Sequence, residues 1–448
     1  MLGWKIIKEG DYKLNLPLLS DEEEFLIVEI EKRFREISRI EEFKNKDEVK
    51  EKLKEVLIRV ADESGFYIDK EQERYLVEMA VRHIYGLYFI DDLLKDEFIE
   101  EIAIIGLNKP VYVYITNEGW RKVNATITKE ESLIDLINKI AKSLGRRITL
   151  QNPRLNAVLP DGSRLHASIS PISKGELTIR KFREKPLSPK HIINYKTATE
   201  EMFALLSLFM QSDSSIIIGG NTASGKTTTL NALFSFTPAK DRILITEETP
   251  EINIPHEHQI RLIANEDMGI GLNDLVYDSL RMRPDRIIVG EVRNSDETKA
   301  LFDVLLGGQA RGVYATFHAQ SAREAISRFL SFGISSQDIN SIDLLLIQRR
   351  MLTYNPKTRK NIEVRKITEL AVIDHSKPIP IYKYNVIKGY WKRFNLKPAY
   401  NRLSENLGLS INEIKKEIET RTNLIKQSPA PYPKFYSSIQ KALYGVKI

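Results

Sequence analysis

Eight residues, Gly220-Asn221-Thr222-Ala223-Ser224-Gly225-Lys226-Thr227, follow the spacing G-x-x-x-x-G-K-[ST]. Two glycines at this separation let the backbone curl so that several amide N–H groups converge on β- and γ-phosphate oxygens, at the positive end of a helix starting near Lys226. Lys226 adds a point charge, and the Thr227 hydroxyl can ligate Mg²⁺. The chemistry is nucleotide binding, with ATP and Mg²⁺ as the expected cofactors. Two acidic clusters follow. The run Leu244 to Glu251 places Glu247, Glu248 and Glu251 just past an apolar strand, where the carboxyl ends of a parallel sheet gather ligands. The run Arg286 to Glu291 does the same, with Gly290 where many phosphate-loop proteins carry a magnesium-binding Asp, so Glu291 acts alone or through water. Taken without the loop, either cluster reads as solvated or helix-capping carboxylates. His318 follows a further apolar run and could sense the γ-phosphate; taken by itself it reads as a core or surface histidine. Either Glu247 or Glu291 orients the attacking water, and the sequence leaves that choice open.

These residues need a scaffold. Short apolar runs at Ser215–Ile218, Arg242–Thr246, Arg286–Val289 and Val313–Thr316, separated by helix-length segments, have the character of strands buried on both faces of a parallel sheet. They predict an α/β core, entered by a helix from about Thr199 to Gln211. Upstream, residues 20 to 94 predict helices, the first opened by Ser20 and Glu23 in capping-box spacing. From Ile99 the period changes to strands, with an amphipathic helix from Glu130 to Ser143 and a tight turn at Pro160–Ser163. Two prolines in Arg183–Pro189 predict a linker. The expected domains are 1–88 (helical), 89–182 (α+β), 183–198 (linker), 199–375 (ATPase) and 376–448 (basic C-terminal extension).

Composition narrows the class. With 448 residues, 42% hydrophobic and 29% charged, the chain is long enough for several cores and lacks the signature of disorder. It contains no cysteine, which excludes disulfides, thiolate zinc sites and thiol nucleophiles. No apolar run approaches the ~20 residues of a spanning helix, and Met1 to Tyr12 lack a signal-peptide stretch, so a soluble cytoplasmic protein is expected. The net charge of +6 conceals an asymmetry: Met351 to Ile448 carry 19 Lys and Arg against 7 Asp and Glu, a net +12 that leaves −6 for residues 1–350. Such a segment suits nucleic acid, anionic lipid or an acidic partner, or is simply solvated.

In this order, the blocks resemble the secretion ATPases of the type II and type IV secretion superfamily over about residues 89 to 375, its archaeal branch most of all. Gly220 to Thr229, including Thr228, resembles the family's Walker A block. Glu247 to Glu251 resembles its aspartate box, with Glu248 where Asp is usual. Leu280 to Arg293 is similar to its Walker B, which also uses Gly-Glu, and Ala315 to His318 to the end of its histidine box. Asn152–Arg164 and Thr178–Phe182 resemble the preceding domain, whose arginines reach nucleotide held by the ATPase domain. That implies catalytic roles for Arg164 and Arg180 beside Glu247, Glu248, Glu291 and His318, with metal held by Thr227 and Glu291. The chain departs from the family pattern at Gly308-Gln309-Ala310-Arg311, where a Gly-His pair is usual, and it has no tetracysteine module.

The resemblance implies a RecA-like phosphate-loop ATPase domain behind a small α+β domain and a helical module. It further implies a homohexamer, peripheral at the inner face of the membrane, that docks on a polytopic platform protein and acts indirectly on pilin-like subunits. The basic segment is then a candidate for an anionic membrane surface, and nucleic acid is not the expected partner. Two alternatives remain at this level: a ring ATPase acting on DNA in conjugation or uptake, and a nucleotide-binding regulator with negligible turnover.

Overall fold

The computed structural model describes residues 2–38, 43, 45–116, 118–182, 185–265 and 268–446. The chain divides into two compact units, Met1–Phe182 and Arg183–Ile448. Of the expected linker, Arg183 and Glu184 lie outside the described residues.

Among the described residues, the first unit joins five α-helices, α1 (Asp21–Ile37), α2 (Lys46–Ser64), α3 (Lys70–Ile84), α4 (Ile90–Lys95) and α5 (Glu130–Ala141), to a seven-stranded sheet. Its strands are β1 (Trp4–Ile6), β2 (Ile99–Ile104), β3 (Pro110–Ile115), β4 (Gly119–Ile127), β5 (Arg154–Val158), β6 (Arg164–Ser168) and β7 (Glu176–Arg180), in the order β1-β4-β3-β2-β7-β6-β5 and antiparallel throughout. Ser20 and Glu23 form the capping box that starts α1, and Gly65 ends α2 in the left-handed conformation (φ 70°). One apolar core runs from Leu2 through the helices to Ile179. Within it, Trp4 Nε1 on β1 donates to His83 Nδ1 on α3 (3.1 Å), while His83 Nε2 faces Glu31 of α1 at 2.8 Å. This chain of bonds satisfies polar groups that burial would otherwise leave costly.

The second unit is built on a nine-stranded sheet: β8 (Ile216–Gly220), β9 (Ile243–Glu247), β10 (Gln259–Ile263), β11 (Arg286–Val292), β12 (Gly312–Phe317), β13 (Leu344–Asn355), β14 (Lys360–Asp374), β15 (Lys377–Asn385) and β16 (Tyr390–Arg393). The order is β10-β9-β11-β12-β8-β13-β14-β15-β16, parallel from β10 to β13 and antiparallel from there to β16. Its helices are α6 (Pro189–Asn194), α7 (Glu200–Gln211), α8 (Lys226–Leu233), α9 (Leu272–Ser279), α10 (Ser295–Gly307), α11 (Ala322–Ser331), α12 (Lys397–Leu407), α13 (Ile411–Gln427) and α14 (Tyr432–Tyr444). The strands carry continuous apolar runs because both faces are covered: Ile216 and Ile218 enter one core, and Ile217 between them enters the other. Ile243, Leu244 and Ile245 divide in the same way. This is an α/β, RecA-like phosphate-loop fold.

The basic C-terminal segment is folded onto this sheet. Leu403, Ile414, Ile425, Phe435 and Ile439 of its three helices belong to the core that contains Ile216 and Ile218. Lys383 on β15, Lys388 in the turn after it, and Lys392 and Arg393 on β16 are exposed.

Candidate functional site

The phosphate loop spans the end of β8 and the start of α8. Gly225 caps α8 with φ 93°, and Ala223 takes φ 58°, so the backbone alternates hand in the way an anion-binding concavity needs. A Cβ at Gly220 would lie 2.6 Å from Ser224 Oγ, so the curl closes only around glycine. Lys226 is 6% exposed, and its Nζ lies 3.4 Å from the Gly220 carbonyl oxygen and 3.4 Å from Glu291 Oε1. Thr227 Oγ1 donates to Glu251 Oε2 at 2.8 Å.

Around the loop, the structure brings together the carboxylates singled out in the sequence and gives each a different environment. Glu247, at the end of β9, is 1% exposed. Its Oε1 accepts the backbone N–H groups of Glu251 (2.7 Å) and Ile252 (2.8 Å), which folds the 248–252 turn back over the strand end. Among the described residues its Oε2 has no hydrogen bond, and Arg261 Nε stands 3.5 Å away, close enough for charge attraction only. Burial outweighs these contacts and pushes the Glu247 carboxyl up to about 7.

Glu291 is the opposite case. It lies where the register between β11 and β12 shifts, between Val289 and Val292, an irregularity of the kind that re-aims a side chain. A Cβ on the neighbouring Gly290 would stand 3.0 Å from Glu247 Cγ, so the absence of a side chain at 290 lets the two strand ends pack. Burial alone would raise the Glu291 carboxyl. Hydrogen bonds from His318 and Arg293, with the charges of Lys226 and Arg293, prevail and hold it well below the usual carboxylate range. The distances are 3.0 Å to His318 Nε2 and 2.8 Å to Arg293 Nη2. Arg293 also bonds Glu248, so one guanidinium spans the two acidic clusters.

Arg293 and Asn231 stand in this site without having been singled out for it, and Glu251, named only as a member of an acidic cluster, stands there beside Thr227. Asn231, on α8, donates to the Glu251 carbonyl (3.3 Å) and accepts from the Asn253 N–H (3.1 Å). Glu251 and Arg293 lie inside the acidic runs themselves, and that proximity was the available signal; Asn231 had none. Thr222 is exposed, and Thr228 is half-buried in the first turn of α8. Arg164 and Arg180 belong to the first unit, where they are register partners on β6 and β7, with Glu101 of β2 on the far side of Arg180.

The residues fit a magnesium–nucleotide complex. Ser224 Oγ is buried with no hydrogen-bond partner among the described residues, beside the cradle that the glycines leave open. No group of three His, Asp or Glu side chains suited to a metal ion occurs among the described residues. Mg²⁺ on a triphosphate needs none, because phosphate oxygens and water complete its shell around one or two protein ligands.

Residues 89–384 match the model of the type II/IV secretion system protein family. The chain belongs to this family. Relatives include an uncharacterized protein of Methanocaldococcus jannaschii, 32% identical over 322 residues, which cover 69% of this chain and 57% of the relative. A second protein of that organism is 32% identical over 61% of this chain and 40% of its own length. The chain thus spans about half the length of these two relatives. The type IV secretion system protein VirB11 of Bartonella quintana is 27% identical, over 53% of this chain and 77% of the relative. Among solved structures, the Legionella pneumophila ATPase DotB aligns over 76% of this chain and 88% of its own, with 17% identity and a TM-score of 0.48. Among the described residues, no helix is long and apolar enough to cross a membrane.

Proposed function

We propose that this chain hydrolyses ATP with Mg²⁺ as a homohexameric motor that assembles or secretes a pilin-like filament through a polytopic membrane platform protein. The observation that carries the hydrolytic reading is the Glu291 carboxylate, kept ionised within 3.4 Å of the phosphate-loop lysine and 3.0 Å of His318. In phosphoryl transfer the protein's work is positioning and charge neutralisation. Lys226 and the loop amides neutralise phosphate oxygens, Glu291 orients the attacking water, and His318 fixes Glu291. Glu247 holds the turn that carries Glu248 and Glu251, and Glu251 sets the Thr227 hydroxyl that would ligate Mg²⁺; the metal supplies charge neutralisation on the phosphates. Arg164 and Arg180 are assigned the remaining positive charge on the triphosphate.

Family membership, shared with proteins named for type IV secretion, supports the motor half of the reading. The exposed Lys383, Lys388 and Lys392, beside an Ile387 that is 97% exposed, support an anionic membrane surface as the docking ground. Phosphate release by the full chain tests both halves. Turnover should require Mg²⁺, vanish in Lys226→Ala, and rise with vesicles containing anionic lipid. Stimulation by single-stranded DNA with a steep salt dependence, and none by lipid, would turn the reading toward a DNA-handling ring.

A further inference from the structure

We propose that Gln348, on β13, is a positioning residue for the phosphate loop, an inference that rests on the nucleotide-binding reading of that loop. Its side chain is 3% exposed and uses both ends of its amide. Nε2 donates to the carbonyl oxygen of Ser224 at 2.7 Å, and Oε1 accepts from the Thr229 hydroxyl at 2.6 Å. A carbonyl can only accept, so the amino end must face Ser224, which leaves the oxygen for Thr229. One rigid amide therefore ties the loop to the first turn of α8.

The consequence for the loop follows from peptide planarity. In a trans peptide the C=O and the next N–H point in opposite directions, so holding the Ser224 carbonyl outward against Gln348 turns the Gly225 N–H away from it. Three further bonds brace the loop. Arg365 Nε on β14 donates to the Ala223 carbonyl (3.0 Å). The Asn221 side chain exchanges bonds with the backbone of Arg350, accepting from its N–H at 2.9 Å and donating to its carbonyl at 3.0 Å. The fit leaves no spare room: a Cβ at Gly220 would stand 2.1 Å from the Gln348 carbonyl oxygen, and one at Gly225 2.8 Å from Gln348 Nε2. The glycines thus answer to β13 as well as to phosphate.

The test is nucleotide affinity and steady-state hydrolysis of the full chain, comparing wild type with Gln348→Leu, Gln348→Glu, Thr229→Val and the double variant Gln348→Leu/Thr229→Val, with Lys226→Ala as the control. Gln348→Leu should raise the Kd for ATP and the KM about tenfold and leave kcat within about twofold, with a lowered thermal midpoint for the nucleotide-free protein because the Ser224 carbonyl and the Thr229 hydroxyl lose their buried partner. Thr229→Val alone should weaken affinity, and in the Gln348→Leu background it should add nothing. Should Gln348→Leu fail to fold, Gln348→Glu and Thr229→Val carry the measurement. Wild-type affinity in Gln348→Glu and Thr229→Val, or a lowered midpoint with unchanged affinity in Gln348→Leu, overturns the brace alone. A wild-type chain that binds no ATP overturns the reading of the loop and the brace with it.

Discussion

Two carboxylates at neighbouring strand ends, Glu247 of β9 and Glu291 of β11, have been driven apart in character by their surroundings. Glu247 is buried with backbone donors on one oxygen only, while Glu291 is held by His318, Arg293 and Lys226. Environments that separate two titratable groups in this way mark different tasks. Replacing Glu291 by Gln should preserve ATP binding and reduce phosphate release by a factor on the order of 10² or more, measured at saturating Mg-ATP; unchanged kinetics would remove Glu291 from the chemistry. Glu247 makes a stability prediction with the opposite sign to an ordinary ion-paired carboxylate. Its ordinary value is 4.5 and burial raises it to about 7, so between those values the folded chain holds a proton that the unfolded chain has lost. Stability attributable to this group is complete below pH 4.5 and falls as pH rises to 7, by on the order of 3 kcal/mol. Glu247→Gln keeps the acceptor for the Glu251 and Ile252 amides and lacks the ionisation. Denaturant titrations should therefore find the variant gaining on wild type between pH 5 and pH 8, and parallel curves would contradict the assignment.

At the scale of elements, the parallel core was legible and its flanks were not, for one physical reason. Strands buried on both faces must be apolar throughout, so Ser215–Ile218 and Arg286–Val289 predict strands that the structure extends to β8 and β11. Strand β10 lies at the sheet edge with alternating exposed residues, and the outer parts of β13, β14 and β16 are largely wet, so their polar sequences carry no comparable mark. The same strands hold the brace of the phosphate loop, and Gln348 lies 124 residues from the Ser224 it supports, with no motif to announce it. Arg286 illustrates a second kind of hidden element. Its sequence neighbours read as strand, yet its guanidinium is 1% exposed and bonds Asp241 (3.0 Å), the Ser212 carbonyl (2.9 Å) and the Tyr314 hydroxyl (2.8 Å), joining β11, β12 and two loops. Removing one partner from a buried pair leaves a charge without compensation. Asp241→Ala should cost about 3–5 kcal/mol in urea unfolding. Phosphate release per folded molecule should stay near wild type, because this network gathers at the amino ends of the strands, away from the phosphate loop.

Over the whole molecule, each unit has its own apolar core, so unfolding need not be a single event. The three tryptophans allow the units to be followed separately: Trp4 and Trp120 report on the first, and Trp391, whose Nε1 donates to the Ile367 carbonyl (2.6 Å), on the second. In a Trp391→Phe variant the fluorescence belongs to the first unit alone. A ligand stabilises what it touches by RT ln(1 + [L]/Kd), about 2.7 kcal/mol at a hundredfold excess over Kd. A non-hydrolysable ATP analogue should raise the transition reported by Trp391 through the phosphate loop. If Arg164 and Arg180 contribute charge to the same triphosphate, the analogue should also raise the transition reported by Trp4 and Trp120, and Arg164→Ala with Arg180→Ala should abolish that second shift while sparing the first. Hydrolysis in the double variant should slow, with nucleotide affinity only mildly weakened. A first-unit transition indifferent to the analogue in Trp391→Phe protein would confine nucleotide binding to the second unit and remove Arg164 and Arg180 from it.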